Sequence, residues 1–567
     1  MPSLLVVMIF LPALAAVALL LLDPQSSAVR ARWVALIATV ATFFVSWGVA
    51  AQYLALPAIE SHERGPVHPQ LVLRQTWLDL SVAGPLSASG PLSASGPGSP
   101  AIKMEFFLGL DGISLALVLL TTILTISSVL VSWTAIKDRA AEFYACLLIL
   151  ETGLIGVFCS FDILLFYVFF EFTLIPLFFL VGIWGGPLRR YAAGKFFVYT
   201  LAGSLITLLG LVSMVVTTLK ANPTLITPFS IPDLAKTLTE HPLPAETQFI
   251  LFLMIAAGFM VKVPLFPFHT WLPLAHVEAP TAGSILLAGV LLKLGTYGFL
   301  RMLLPMLPDA CLNTGLPVIG TMASIGIVYG SFCALAQNDI KKLVAYSSVA
   351  HLGFCMLGLF ALNIEGISGG VLQMINHGLS TGALFCIVGM FYERYHTRQL
   401  NELGGLATKL PLLAVAMVFT SFASIGLPGL NGFVGEFLCL AGMFRAGDGI
   451  GVLFSALGAL GVVLGAWYLL GVLQHAFFGA VKVPAESHSH DHEPVTDLNA
   501  REVVALAPLL TLCLLLGLFP QPLLNLIRPD VQAVASLYEM KAVKATAVVN
   551  EPLKHSPSVA LGSEVRP

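Results

Sequence analysis

Apolar residues in this chain come in long runs separated by short polar stretches. Fourteen runs stand out, at roughly 3–22, 33–55, 109–133, 141–159, 162–183, 194–218, 247–275, 281–303, 316–336, 343–361, 367–391, 410–440, 450–475 and 503–527. A helix that crosses a bilayer needs ~20 apolar residues, and most runs have that length. They show no strand alternation, which argues against an outer-membrane barrel. The pattern predicts an all-α polytopic membrane protein of about 14 transmembrane helices, numbered here as spans 1 to 14. The first run, Leu4 to Leu22, has no basic stretch ahead of it and reads as a retained helix, not a cleaved leader.

Composition sharpens this. Of 567 residues, 57% are hydrophobic and 10% charged, against ~25% charged in a soluble domain, and the mean hydropathy is +0.90. A soluble enzyme, a disordered chain and a nucleic-acid binder are excluded. With 28 Lys and Arg against 31 Asp and Glu, the net charge of −3 draws no acidic partner. The 8 cysteines form no CxxC pair and read as small core residues. No metal or cofactor site is predicted.

The Lys/Arg bias of the loops orients the spans. With the N-terminus outside, inner loops carry fourteen basic residues, among them Lys341, Lys342, Arg394, Arg398 and Lys409, while seven, including Arg74, Lys103 and Arg301, fall in outer loops. Both termini then lie on the outer side, in a bacterial inner membrane. The expected organisation is residues 1–108 (spans 1 and 2 with an outer loop), 109–140 (span 3), 141–303 (spans 4–8), 316–475 (spans 9–13), 476–502 (inner loop), 503–527 (span 14) and 528–567 (outer tail). The stretch 84–97, GPLSASGPLSASGP, is a tandem duplication too poor in apolar residues to fold. The inner-loop cluster His488, His490 and His492 reads as a solvated linker.

The informative residues are charges at membrane depth, each costing roughly 2.5–3.5 kcal/mol to insert and so a functional candidate. Glu171 stands in LLFYVFFEFTLIPLFFLVGIWGG with no other charge nearby, and Glu151 is a second, weaker acidic candidate. Lys262 is followed by Pro264 and Pro267, which remove backbone donors and should break span 7. Lys293 lies in span 8, read as an unbroken helix. A second break is predicted in span 12, where Gly426, Pro428, Gly429, Gly432 and Gly435 precede Glu436. Two interrupted spans five helices apart suggest two five-helix repeats, spans 4–8 and 9–13, with discontinuous helices 7 and 12. His269, His276, His351 and His377 fall between Lys262 and Glu436 in chain order and suit proton transfer near neutral pH. Ser347, Ser348, Gln373, Asn376 and Ser380 share those spans and could hold water. No hydrolase triad, phosphate loop or haem ligand pair is present, so the chain reads as one that moves protons or cations.

The stretches FFEFTLIPLFFLVGIWGG, VKVPLFPFHTWLPLAHVEAPTAGSILLAGVLLKLGTYGFLR, QNDIKKLVAYSSVAHLGF, INHGLSTGALF and LPGLNGFVGEF resemble the antiporter-like membrane subunits of respiratory complex I, the proton-pumping NADH:quinone oxidoreductase. The resemblance runs from roughly residue 105 to 525. The loop YERYHTRQLNELGG and a glutamate at 436, where a sister branch has lysine, look like the subunit M (chain 4) branch. The resemblance implies fourteen helices with inverted repeats, a Glu171–Lys262 pair, Lys293 as a connecting residue and Glu436 as the outer-side terminus of a proton path. It implies that NADH, flavin, iron–sulfur clusters and quinone are bound by partner subunits, and that neighbouring antiporter-like subunits and the lipid bilayer surround this chain. A cation/proton antiporter subunit and a subunit of a membrane-bound hydrogenase are the alternative readings.

Overall fold

A computed structural model describes residues 3–21, 28–57, 65–79, 103–222, 225–446, 448–483 and 495–549. The 84–97 duplication and His488, His490 and His492 lie outside the described residues. Within them, thirteen helices are long and apolar enough to cross a membrane. The fourteenth span is the predicted discontinuous one, built from the helices Pro411–Ile425 and Asn431–Arg445. The chain is a multi-pass membrane protein.

The spans divide by burial into an inner and an outer set. Helices Thr281–Leu303 (span 8) and Ile364–Tyr395 (span 11) are buried along their whole hydrophobic length, whereas Ser3–Leu21 (span 1) and Ala500–Leu518 (span 14) bury about a third of theirs. A helix apolar all round belongs inside a bundle or in lipid, and here the two inner helices bury Lys293, Arg301, Gln373, Asn376 and His377. Glycine allows their close approach. A Cβ on Gly378 in span 11 would lie 2.8 Å from the Gly289 carbonyl oxygen in span 8.

Four features go beyond the expectations or correct them. Span 8 runs unbroken over Thr281–Leu303 but is irregular: Leu287–Leu291 and Phe299–Leu303 are π-helical turns, and Lys293 sits just after the first. Such insertions shift side chains around the axis without breaking the helix, so the apolar period does not reveal them. Second, strand is present. β1 (Gln70–Asp79) and β2 (Lys103–Leu110) form an antiparallel hairpin in the segment between spans 2 and 3. A short amphipathic helix, Ile231–Glu240, joins it through Arg74, which bridges Glu105 and Asp233 at 2.5 Å each.

Third, the chain after span 14 is helical over Gln521–Val549. It docks on the bundle through the Asp530 carboxylate, which accepts from the Gly112 amide at 2.9 Å, and Tyr538, which donates to the Leu304 carbonyl at 2.7 Å. Fourth, two basic residues assigned to loops are buried. Arg301 belongs to the C-terminal end of span 8 and forms an ion pair with Asp111, both wholly inside the bundle. Lys341 starts span 10 and donates to the Ala279 carbonyl at 2.5 Å, behind the second half of span 7. Both lie near helix ends, where a loop count cannot tell an exposed charge from one folded inward.

Candidate functional site

Span 7 stops at Lys262 and resumes as Trp271–Glu278. Pro264 and Pro267 stand in the intervening turn, as predicted. The break stays satisfied because carbonyls released from the helix find new donors. Leu265 N–H donates to Met260 O (3.0 Å), in place of Pro264, and the Trp271 indole donates to Val261 O (2.9 Å). At membrane depth such compensation is required, since water is not there to supply it.

Lys262 is 2% exposed. Its ammonium lies 4.6 Å from the centre of the Phe170 ring and has no hydrogen-bond partner among the described residues. Glu171 is half-buried and feels Lys262 through space, but the two do not close to ion-pair distance. The predicted Glu171–Lys262 pair is thus a coulombic pair with an aromatic ring beside the cation. Glu171 lies beside Thr173, where span 5 is interrupted, and next to the exposed Val168, Phe172 and Ile175. Glu151 is wholly buried in span 4, and neither carboxylate oxygen has a partner among the described residues.

Lys293 begins a connected line. Its ammonium is 2.7 Å from His377 Nδ1 and also donates to the Ala288 carbonyl, which the π-turn leaves available. The His377 and His351 rings are 5.6 Å apart, centre to centre. His351 Nδ1 is 3.1 Å from Glu436 Oε1, and its Nε2 is 3.2 Å from Ser424 Oγ. Gln373 adds a 3.2 Å bond to the same Glu436 oxygen. Spans 8, 10, 11 and 12 therefore each place one ionisable group on a single buried line, from Lys293 to Glu436.

The break in span 12 holds the far end. Gly426 closes the first half-helix in the left-handed region at φ 82°, and Gly429 follows at φ 93°. Pro428 stands between them, as predicted. A Cβ on Gly426 would lie 2.8 Å from Glu436 Oε2, so only glycine leaves room for the carboxylate. Asn376 and Asn431 exchange side-chain bonds with each other's carbonyls at 2.7 and 3.3 Å, pinning the second half-helix to span 11.

Two of the four histidines stand off this line. His276 stacks on Phe385 at 4.7 Å and both its nitrogens lack a hydrogen-bond partner among the described residues. His269 packs between Phe266 and Tyr329. The sequence reading missed Lys341 as a buried charge, and the signal available was its place three residues after Asn338, at the start of a helix with a polar face. Arg301 was missed likewise, although Asp111 opening span 3 marked a buried partner in need of a cation.

These features define a class: a multi-pass membrane protein of antiporter-like fold, with two broken spans and a buried line of ionisable groups. The family model for the NADH:quinone oxidoreductase/Mrp antiporter transmembrane region matches residues 160–465, a stretch that contains Glu171, Lys262, Lys293 and Glu436. NADH-quinone oxidoreductase subunit M of Rhodobacter capsulatus is 39% identical over 95% of this chain and 97% of its own length. NADH-ubiquinone oxidoreductase chain 4 of Marchantia polymorpha is 42% identical over 76% of this chain and 83% of its own. Among solved structures, a chain of respiratory complex I from Thermus thermophilus with bound NADH superposes with a TM-score of 0.75 at 30% identity, covering 94% of this chain and 99% of that one. A chain of the Mrp complex from Dietzia sp. shares the fold (TM-score 0.75) at 19% identity. The chain belongs to the NADH:quinone oxidoreductase/Mrp antiporter transmembrane family, and NADH-quinone oxidoreductase M subunits are among its relatives.

Proposed function

We propose that this chain is a proton-translocating membrane subunit of an NADH:quinone oxidoreductase, in which electron transfer in partner subunits drives protons through the buried line. NADH, flavin, iron–sulfur clusters and quinone are then held by those partners, among them neighbouring antiporter-like subunits. The observation that carries the reading is the line from Lys293 through His377 and His351 to Glu436, at 2.7 and 3.1 Å at its two ends. Groups that cost several kcal/mol each to bury here lie next to one another, bonded at both ends of the line and separated by one ring-to-ring step of 5.6 Å between His377 and His351. The names of the relatives support the redox partner.

In this reading the face bearing Lys342, Arg398 and Lys409 is the inner one, both termini lie outside, and spans 4–8 and 9–13 act as inverted repeats. Lys262 holds a proton while Glu171 is near and passes it toward Lys293 when that balance changes. The histidines carry it to Glu436, from which it leaves outward. Moving one charge against roughly 180 mV costs about 4 kcal/mol, at ~2.3 kcal/mol per 100 mV. Changing the surroundings of one buried charge pair can supply that amount.

The test is Glu171→Gln, Lys262→Ala and Glu436→Gln in the assembled complex in closed vesicles. Each variant is expected to keep the complex together and lose NADH-driven acidification. Normal pumping by all three would end the proposal. Sodium-dependent proton flux without NADH would move the chain to the cation/proton antiporter branch of the same family.

A further inference from the structure

A cavity of about 440 Å³ opens on the basic face between spans 9, 10 and 13 and the loop after span 11. Its rim is polar: Gln337 and Asn338 from the 9–10 turn, Asn401 from the loop, and His475 near the end of span 13. Its depth is set by Gly471, where a Cβ would meet nothing within 4 Å, and its floor by Tyr468. Tyr468 is 3% exposed, so it closes the cavity from the bundle interior.

The tyrosine belongs to the cavity lining. Its oxygen lies 3.7 Å from a Cβ built on Gly465, one turn further into the membrane. There it faces Ser347 of span 10 and comes within electrostatic reach of Glu436. Ser347 and Ser348 are wholly buried and donate to the Val344 carbonyl, at 2.8 and 3.3 Å, which leaves their oxygens able to accept a further bond. His351 follows Ser347 by four residues, on the same helix face, and holds Glu436 at 3.1 Å. A polar cavity, a phenol, a hydroxyl pair and the histidine–carboxylate pair thus follow one another from the basic face to Glu436. None of them involves Lys262 or Lys293.

We propose that this is a second proton entry, through which the His351–Glu436 pair is loaded directly from the basic face. The inference rests on the proton-translocating function proposed above and adds a route to it. Tyr468 gives its hydroxyl proton toward Ser347 and takes one from a hydronium ion in the cavity, which reverts to water, so the tyrosine ends neutral as it began. The proton comes to rest on His351 or Glu436, and no other group changes its charge. In a dense apolar interior a packing tyrosine needs no polar cavity on one side and no buried serine pair on the other. The relay accounts for both.

The test uses the whole complex in closed vesicles, reading quinone reduction and acidification separately. Gly471→Trp fills the cavity, and Tyr468→Phe keeps the ring but removes its hydroxyl. Both are expected to slow acidification at least about tenfold, below the usual range for loss of one positioned proton carrier, with the complex intact and with Glu436→Gln as the reference. Tyr468→Phe should also raise the solvent deuterium isotope effect on acidification, which a packing defect would not. Ser347→Ala repeats the test with a smaller change if the tryptophan plug prevents assembly. Wild-type protons per electron in these variants, with pumping lost in Glu436→Gln, would overturn the second entry and leave the proposed function standing. Normal pumping by Glu436→Gln would remove both.

Discussion

The two broken spans treat their charges in opposite ways. In span 7 the break follows Lys262, whose ammonium meets an aromatic face and no hydrogen-bond acceptor among the described residues. In span 12 the break precedes Glu436, whose Oε1 bonds to His351 and Gln373. One end is a charge held by fields, the other a charge held by contacts. A field changes with the position of a distant partner, so Lys262 suits a switch that Glu171 controls. A contact fixes geometry, so Glu436 suits the last station of a relay. The frames around them differ too: the first half is locked by a buried ion pair, the second by glycines and reciprocal asparagines.

The largest effect that would break this comparison is on the lock of the first half. Arg301 and Asp111 tie the end of span 8 to the start of span 3, with Tyr297 and Phe161 rings beside the guanidinium. Arg301→Ala leaves a buried carboxylate alone and should cost about 3–5 kcal/mol, whereas replacing both partners by apolar residues should return much of it. Thermal unfolding of the purified complex measures this. An unchanged midpoint for the single variant would mean the pair is not a lock.

The second half is tested by Gly435→Ala. The added methyl would lie 2.3 Å from Gln373 Oε1 and 2.8 Å from Asn376 Nδ2. Overpacking of this kind costs about 1–3 kcal/mol, and here it displaces a side chain that bonds Glu436. Acidification should fall more than assembly does. If the two fall together, the close packing serves the fold and not the relay.

How much of this the sequence disclosed depends on the kind of signal. The spans were legible because a bilayer demands long apolar runs, and both breaks because Pro264, Pro267 and Pro428 remove helix donors and the glycines around Pro428 weaken the helix. Glu171, Lys262, Lys293 and Glu436 stood out as charges in apolar company. What was hidden needs three-dimensional information. The π-turn that aims Lys293 at His377 leaves no trace in a 3.6-residue period. Which histidines join the line depends on neighbouring helices: His351 and His377 do, while His276 and His269 face rings. The hairpin was overlooked because its strands, QLVLRQTWLD and KMEFFLGL, are separated by a duplication that reads only as loop.

A smaller effect sharpens the field-held end. Phe170→Leu removes the ring from Lys262 while keeping an apolar side chain. A buried cation–π contact is worth about 0.5–2 kcal/mol, so acidification should change by roughly fivefold, and Phe170→Tyr should restore it. The His351–Glu436 end has no such ring, so an equal loss from changing Phe437, which is exposed, would dissolve the distinction.

The smallest expected effect lies outside the membrane, on the hairpin. Burial tends to raise the Asp233 carboxyl, but bonds from Thr227, Arg74 and Ser230 outweigh it and hold the group below the ordinary carboxylate range. A lowered folded-state value stabilises at pH above the unfolded value of ~3.9, and that stability is lost as pH falls through the folded value. Arg74 and Asp233 are each about a third exposed, so solvent screening keeps the contribution within about 1 kcal/mol. Hydrogen exchange of residues 70–79 should therefore be faster in Asp233→Asn than in wild type at pH 6, with the gap closing below pH ~3. Equal exchange at both pH values would show that β-pairing alone holds the hairpin. The Arg74 bridge would then be a surface ion pair of no energetic consequence, unlike the buried Arg301 pair.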